Sequence, residues 1–158
     1  MPSELDYVRL AAFVDGEGCI SIYHRKPSKK DNVHNWKRTT QLILSVRNCD
    51  PRLPLWCKEV FGGSIGRSYP RPPRRNSFLW VIRYKKAADI LQACMPFFLL
   101  KREQAEIAIA IQQTMKRWGR AQVPDNVRAQ RATLTAELKR LKHVPLQHFY
   151  PKSDTKPN

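Results

Sequence analysis

The chain has 158 residues, 42% of them hydrophobic, which supplies apolar side chains for one real core and leaves no length for two catalytic domains. Twenty-nine Lys and Arg against thirteen Asp and Glu give a formal net charge of +16, far beyond what solubility requires, so a polyanionic partner is implied. The longest apolar run, residues 93–100, is broken by Pro96 and is too short for a bilayer span or a signal-peptide core. A soluble, intracellular protein with no membrane attachment is expected, in a bacterial cytoplasm or an organelle.

The first element in chain order is a helix over Glu4 to Val14, by composition. A strand follows in which Ile20, Ile22 and His24 alternate with Ser21, Tyr23 and Arg25. Pro27 to Trp36 is polar and fits a hairpin tip. In the returning strand Leu42, Leu44 and Val46 alternate with Gln41, Ile43, Ser45 and Arg47. Asp50 and Pro51 then have the chemistry of a helix start, as N-cap and first helical residue of a helix over Pro51 to Phe61. Gly62 and Gly63 open a second hairpin, with strands over Ile65 to Tyr69 and Phe78 to Tyr84 and a Pro- and Arg-rich turn over residues 70–76. The faces of its last strand stay open, because Phe78, Leu79, Trp80, Val81 and Ile82 are all apolar. Three helices complete the pattern: Lys85 to Met95, Leu100 to Trp118, and Pro124 to His143 capped by Asp125. Residues 1–147 are read as one domain, and the composition of residues 148–158 predicts a disordered tail.

The order is α, β-hairpin, α, β-hairpin, α, α, α, an α+β pattern. It predicts a two-layer domain with helices on one face of a four-stranded antiparallel sheet and a basic opposite face. Between Cys19 and Lys86 sixteen Lys and Arg face only Asp31, Asp50 and Glu59, so most of the surplus charge falls on the hairpins. A twisted basic sheet suits a duplex groove. The four cysteines lie 30, 8 and 37 positions apart, with no zinc-ligand spacing, and are expected to be buried free thiols.

Residues 10–18 read Leu-Ala-Ala-Phe-Val-Asp-Gly-Glu-Gly, where the first helix stops. Two carboxylates at a helix C-terminus oppose the macrodipole, at a cost of roughly 0.3–1 kcal/mol each. Something must offset them. A hard divalent cation held by carboxylate and carbonyl oxygens is one solution; an ordinary glycine cap with both acids in water is the other.

Leu10 to Gly18 resembles the signature of the LAGLIDADG homing endonucleases, in a variant ending acid-Gly-acid-Gly. Element order, basic hairpins and chain length are also similar, over roughly residues 4–118. Ala12 stands where Gly is common, and Glu17 where Asp is more usual. The resemblance implies an αββαββα fold acting as a homodimer, with motif helices paired through Leu10, Ala11, Ala12, Val14 and Asp15. Asp15 would also brace the helix end. Glu17 and the Gly16 carbonyl would hold Mg²⁺, with Mn²⁺ as substitute and Ca²⁺ bound without turnover. Asn48, Arg52 and Lys101 match the catalytic positions that order water and neutralise phosphate beside Glu17.

The expected activity is cleavage of double-stranded DNA at a long, roughly palindromic site, leaving short 3′ overhangs, as in intron homing. Strand parity and the resemblance together place Ser21, Tyr23, Arg25, Thr39, Gln41, Ile43, Ser45, Arg47, Arg67 and Tyr69 on the DNA face. Gln41 and Arg47 are the best candidates for base contacts. Lys29, Lys30, Lys37 and Arg38 would contact phosphates, and Arg71, Arg74 and Arg75 complete the expected DNA-binding set. The alternative is an RNA maturase that binds its intron RNA through the same basic surface. An architectural or ribosome-associated protein would leave the acidic turn unexplained.

Overall fold

A computed structural model of the chain describes residues 1–24, 40–68, 75–115 and 123–143. Helix α1 spans Glu4–Glu17 and opens on a capping box, in which Ser3 Oγ accepts from the Asp6 N–H and the Asp6 carboxylate accepts from the Ser3 N–H. It runs three residues past the expected end, through the motif. Strand β1 (Gly18–His24) follows directly and pairs antiparallel with β2 (Thr40–Asn48), from Gly18 opposite Val46 to His24 opposite Thr40.

Helix α2 spans Arg52–Phe61, with Pro51 in the N-cap position and the Asp50 carboxylate accepting the Arg52 N–H at 2.9 Å. The expected capping acid is present, one residue further out. The chain leaves α2 through Gly62 and Gly63 at φ 73° and 93°, a left-handed turn that a side chain would strain. Strands β3 (Ser64–Ser68) and β4 (Ser77–Arg83) form the second hairpin, and β4 pairs with β2 to give the sheet order β1-β2-β4-β3. Tyr84, at φ 59°, turns the chain into α3 (Tyr84–Cys94). A 3₁₀ turn (Met95–Phe97), α4 (Arg102–Gln113) and α5 (Asp125–Leu141) complete the fold. Helix α4 is shorter than expected and ends in a turn at Thr114; Asp125 lies in the first turn of α5 and makes no side-chain cap. The expected tail lies outside the described residues.

The core lies between the helices and one face of the sheet. Ile20, Leu42, Leu44, Val46 and Trp80 are wholly buried there with Leu10 and Val14 of α1 and Leu91 of α3. Burying each large aliphatic contributes about 1.5–3 kcal/mol. Phe61 of α2 touches the rings of Tyr7, Trp56 and Trp80 at centroid distances of 5.6, 5.7 and 6.3 Å, fixing α1 and α2 against β4. The Trp80 indole N–H donates to the Gly62 carbonyl at 2.7 Å. All four cysteines are free, but only Cys57 and Cys94 are buried, and burial pushes both thiols up to about 12. Cys19 and Cys49 are exposed, because Cys19 falls on the open face of β1 and Cys49 in the bend after β2.

Candidate functional site

The face of the sheet away from the helices carries Cys19, Ser21 and Tyr23 from β1 and Gln41, Ile43, Ser45 and Arg47 from β2, alternating with the buried Ile20, Leu42, Leu44 and Val46. Trp80 and Ile82 point into the core, so Ser77, Leu79 and Arg83 of β4 share the open face, with Arg83 opposite Ile43. Arg83 was invisible to sequence parity, since its strand is apolar at five successive positions. Arg47 donates to the Ser77 hydroxyl at 2.8 Å, linking β2 to β4 across that face.

Arg67 is different from expectation. It pairs with Phe78, and its guanidinium lies 5.8 Å from that ring's centroid, on the face shared by Ile65 and Trp80. A strand that begins at Ser64 puts Ser64, Gly66 and Ser68 on the open side and Arg67 on the other. Arg75 is exposed just before β4. The expected DNA contacts Arg25, Lys29, Lys30, Lys37, Arg38, Thr39, Tyr69, Arg71 and Arg74 lie outside the described residues.

At one end of this face, α1 delivers the acidic turn, and its two acids part company. The Asp15 carboxylate turns inward and accepts the backbone N–H groups of Leu99 and Lys101, at 2.8 and 2.9 Å. It thereby ties the end of α1 to the start of α4. Glu17 is exposed. Lys101 reaches back and donates its ammonium to the carbonyls of Val14, Asp15 and Gly18, the latter two at 2.9 Å each. A cation on helix-end carbonyls is favourable for the same reason that acids there are not. The charge that offsets the acidic turn is thus a lysine 84 residues from Glu17 in sequence, a partner that local reading could not supply. Burial lowers the pKa of Lys101, while Asp15, Cys19 and Glu17 act to raise it and Lys142 to lower it.

Gly18 is required by contact rather than by its φ of −88°: a Cβ there would stand 2.5 Å from Val14 Cα and 2.8 Å from Val14 O. Gly16 has nothing within 4 Å of the equivalent point. No contact among the described residues demands glycine at that position.

Asn48 ends β2 two residues beyond Val46, which pairs with Gly18, so it lies at the same end of the sheet as the acidic turn. Its Oδ1 accepts the Asp50 N–H at 2.8 Å, a local turn bond, and its parity is that of the core face. Arg52 opens α2, 89% exposed, and its guanidinium is held by the Asp50 carboxylate through Nε at 3.0 Å and through Nη2. That bonding lowers the Asp50 pKa to about 2.

Leu10, Ala11 and Val14, expected at a subunit interface, are wholly buried within the chain itself. Helical periodicity assigns them to the core, and the apolar residues α1 leaves open are Leu5, Val8, Ala12 and Phe13. Phe13 leans on Trp56 at 6.0 Å between centroids. Leu55 of α2 and Leu99 and Leu100 before α4 are also exposed, at 52, 90 and 76%.

For a metal ion the open oxygen donors at this end are the Glu17 carboxylate and the backbone at Gly16, which none of the three Lys101 bonds occupies. Both are hard ligands of the kind Mg²⁺ takes. Among the described residues no group of three or more His, Cys, Asp or Glu side chains gathers to hold an ion. One chain therefore presents a partial donor set. None of its helices, among the described residues, is long and apolar enough to cross a membrane.

No family model matches the chain, and no curated protein matches it. Solved structures do. The homing endonuclease I-CvuI, in complex with its target in the presence of Ca, aligns with a TM-score of 0.61 and 21% identity over 97% of this chain and 85% of its own. The archaeal intron-encoded homing endonuclease I-Vdi141I, complexed with DNA, aligns at 0.69 and 16% identity over 98% and 90%. The LAGLIDADG homing endonuclease I-SmaMI, bound to cleaved DNA, aligns at 0.65 and 20% identity, with 96% of this chain covering 50% of that one. At these identities the likeness is one of fold: the chain has the α+β fold of the LAGLIDADG homing endonucleases, in a single copy that spans most of the first two and half of the third.

Proposed function

We propose that the protein is a metal-dependent, site-specific DNA endonuclease that works as a homodimer on a long, roughly palindromic site and leaves short 3′ overhangs. One observation carries the reading: an exposed carboxylate, Glu17, stands at the end of α1 beside an open sheet face of Arg, Gln, Ser and Tyr side chains, on the fold of DNA-bound homing endonucleases. An isolated acid at the edge of a phosphate-binding surface repels its ligand unless a cation inverts its charge.

Glu17 and the Gly16 carbonyl of each subunit are the residues that would hold Mg²⁺, which supplies an activated water and stabilises the leaving 3′ oxygen. Because one chain offers only part of a donor set, two Glu17 side chains meeting at a two-fold axis complete it. The open side of α1, with Leu5, Val8, Ala12, Phe13 and the unobstructed Gly16, is the surface on which the second subunit packs. Asp15 fixes the height of the acidic turn by holding residues 99–101. Gln41 and Arg47 read base edges, and Arg83 joins them.

Plasmids carrying candidate intron-insertion sequences, incubated with Mg²⁺ or Mn²⁺, provide the test. Wild type cuts both strands of one such target and E17Q does not, while both bind it as dimers in sedimentation. Equal cutting by E17Q, or a monomer on cleaved DNA, overturns the reading.

A further inference from the structure

Lysine has three N–H donors and no acceptor. In Lys101 all three have carbonyl partners, on Val14, Asp15 and Gly18. This ammonium neutralises the end of α1 and has no proton left for an incoming phosphate. Lys101 therefore acts through the helix end, as a positioning residue, and any side-chain cation for a phosphate arriving beside Glu17 comes from elsewhere.

Helix α5 brings one. Its C-cap residue, Lys142, lies 123 positions from Cys19 in sequence, yet its Nζ stands 3.7 Å from Cys19 Sγ. Cys19 is on the open face of β1, immediately after Gly18 and two residues after Glu17, opposite Ser45. A thiol is a weak acceptor, so the ammonium keeps protons to give, and Lys142 is exposed. The placement is built into the packing. Arg131, 9% exposed, donates Nε to the Thr114 hydroxyl at 2.8 Å and Nη2 to the Thr114 carbonyl, while Leu138 is 2% exposed on the same helix. A buried guanidinium spent on the end of α4 aligns α5 so that its last turn ends at the acidic turn of α1.

We infer that Lys142 contacts DNA directly, binding the phosphate backbone beside Glu17 in place of the committed Lys101. The inference rests on the nuclease reading above but concerns binding, so it is testable without turnover. Anisotropy titrations of a labelled random-sequence duplex between 50 and 200 mM KCl, without divalent ions, compare wild type, K142Q and K142R. Each phosphate contact contributes about 0.9 to the slope of log affinity against log salt. K142Q flattens the slope by about 0.9 for each engaged subunit, and K142R keeps the wild-type slope. Across that fourfold salt range the loss of affinity shrinks by roughly 3- to 4-fold per subunit. Matching far-UV spectra and melting temperatures establish that K142Q is folded. A wild-type slope in K142Q overturns the role of Lys142 and leaves the nuclease reading standing. A wild-type affinity indifferent to salt overturns both.

Discussion

Replacing Lys101 with Met removes the one ammonium that serves three carbonyls at the end of α1 and keeps most of the side-chain volume. Hydrogen bonds to a charged group contribute about 1.5–3 kcal/mol each. They do not sum here, since burial itself lowers the Lys101 pKa and so opposes the charged form, and Asp15 O and Gly18 O gain water when the lysine leaves. The expected net loss is about 1–3 kcal/mol, concentrated in the α1 to α4 junction. For a chain of this size each kcal/mol moves the melting temperature by roughly 2–4 °C, so K101M melts about 2–12 °C below wild type. Urea titration and calorimetry of the DNA-free, metal-free protein measure it. Amide exchange at Leu99 and residues 101–105 rises at the same time, because the Asp15 anchor loosens when α1 frays. A K101M protein with wild-type stability and wild-type exchange refutes the view that Lys101 is a cap.

The two motif glycines separate by the same logic. Gly18→Ala meets backbone at 2.5 Å and destabilises by about 1–3 kcal/mol, while Gly16→Ala leaves the isolated chain unharmed or slightly stabilised and weakens self-association in sedimentation on DNA. Asp50, with its folded pKa at about 2 against an ordinary 3.8, adds stability that is complete above about pH 4 and disappears as pH falls toward 2. D50N therefore removes that part of the acid limb of a stability–pH curve, and an unchanged limb contradicts the Arg52 tether. Thr135 buries a hydroxyl that has no hydrogen-bond partner among the described residues, so T135V is neutral or stabilises by about 0.5–1 kcal/mol; a clear loss in urea would reveal a partner for that oxygen.

Element order and strand parity were legible in the sequence wherever one face of an element is polar. Strands β1 and β2 alternate cleanly, and their open-face residues follow from that period. In β4 every residue from Phe78 to Ile82 is apolar, so the period is silent and Arg83 went unassigned. Arg67 was misplaced because its face depends on the pairing register with β4, which sets it opposite Phe78 on the side of Trp80, and β4 offers no parity to read. The motif told where the acids lie but not how they are balanced. Local electrostatics identified the need for positive charge at the end of α1; only the tertiary fold brings Lys101 there, across more than eighty residues. Leu10, Ala11 and Val14 show the converse error: they were assigned with Ala12 and Asp15 to a subunit interface, although the helix turns these three into the core.

A count of +16 treats its cations as equivalent, whereas the structure ranks them by the acceptors they already have. Lys101 is half-buried on three carbonyls, and a phosphate would have to uncap the end of α1 to recruit it. Arg52 is held by a single exposed carboxylate, and an exposed ion pair is readily exchanged for a phosphate with two or three acceptor oxygens. Because Asp50 stays ionised down to about pH 2, that exchange is a competition between two anions at any working pH. Among the described residues Lys142 has only a thiol to give up. If the sheet binds a duplex as proposed, Lys142 gives up least to meet a phosphate, Arg52 has to leave Asp50 to do so, and Lys101 stays on the carbonyls at the end of α1.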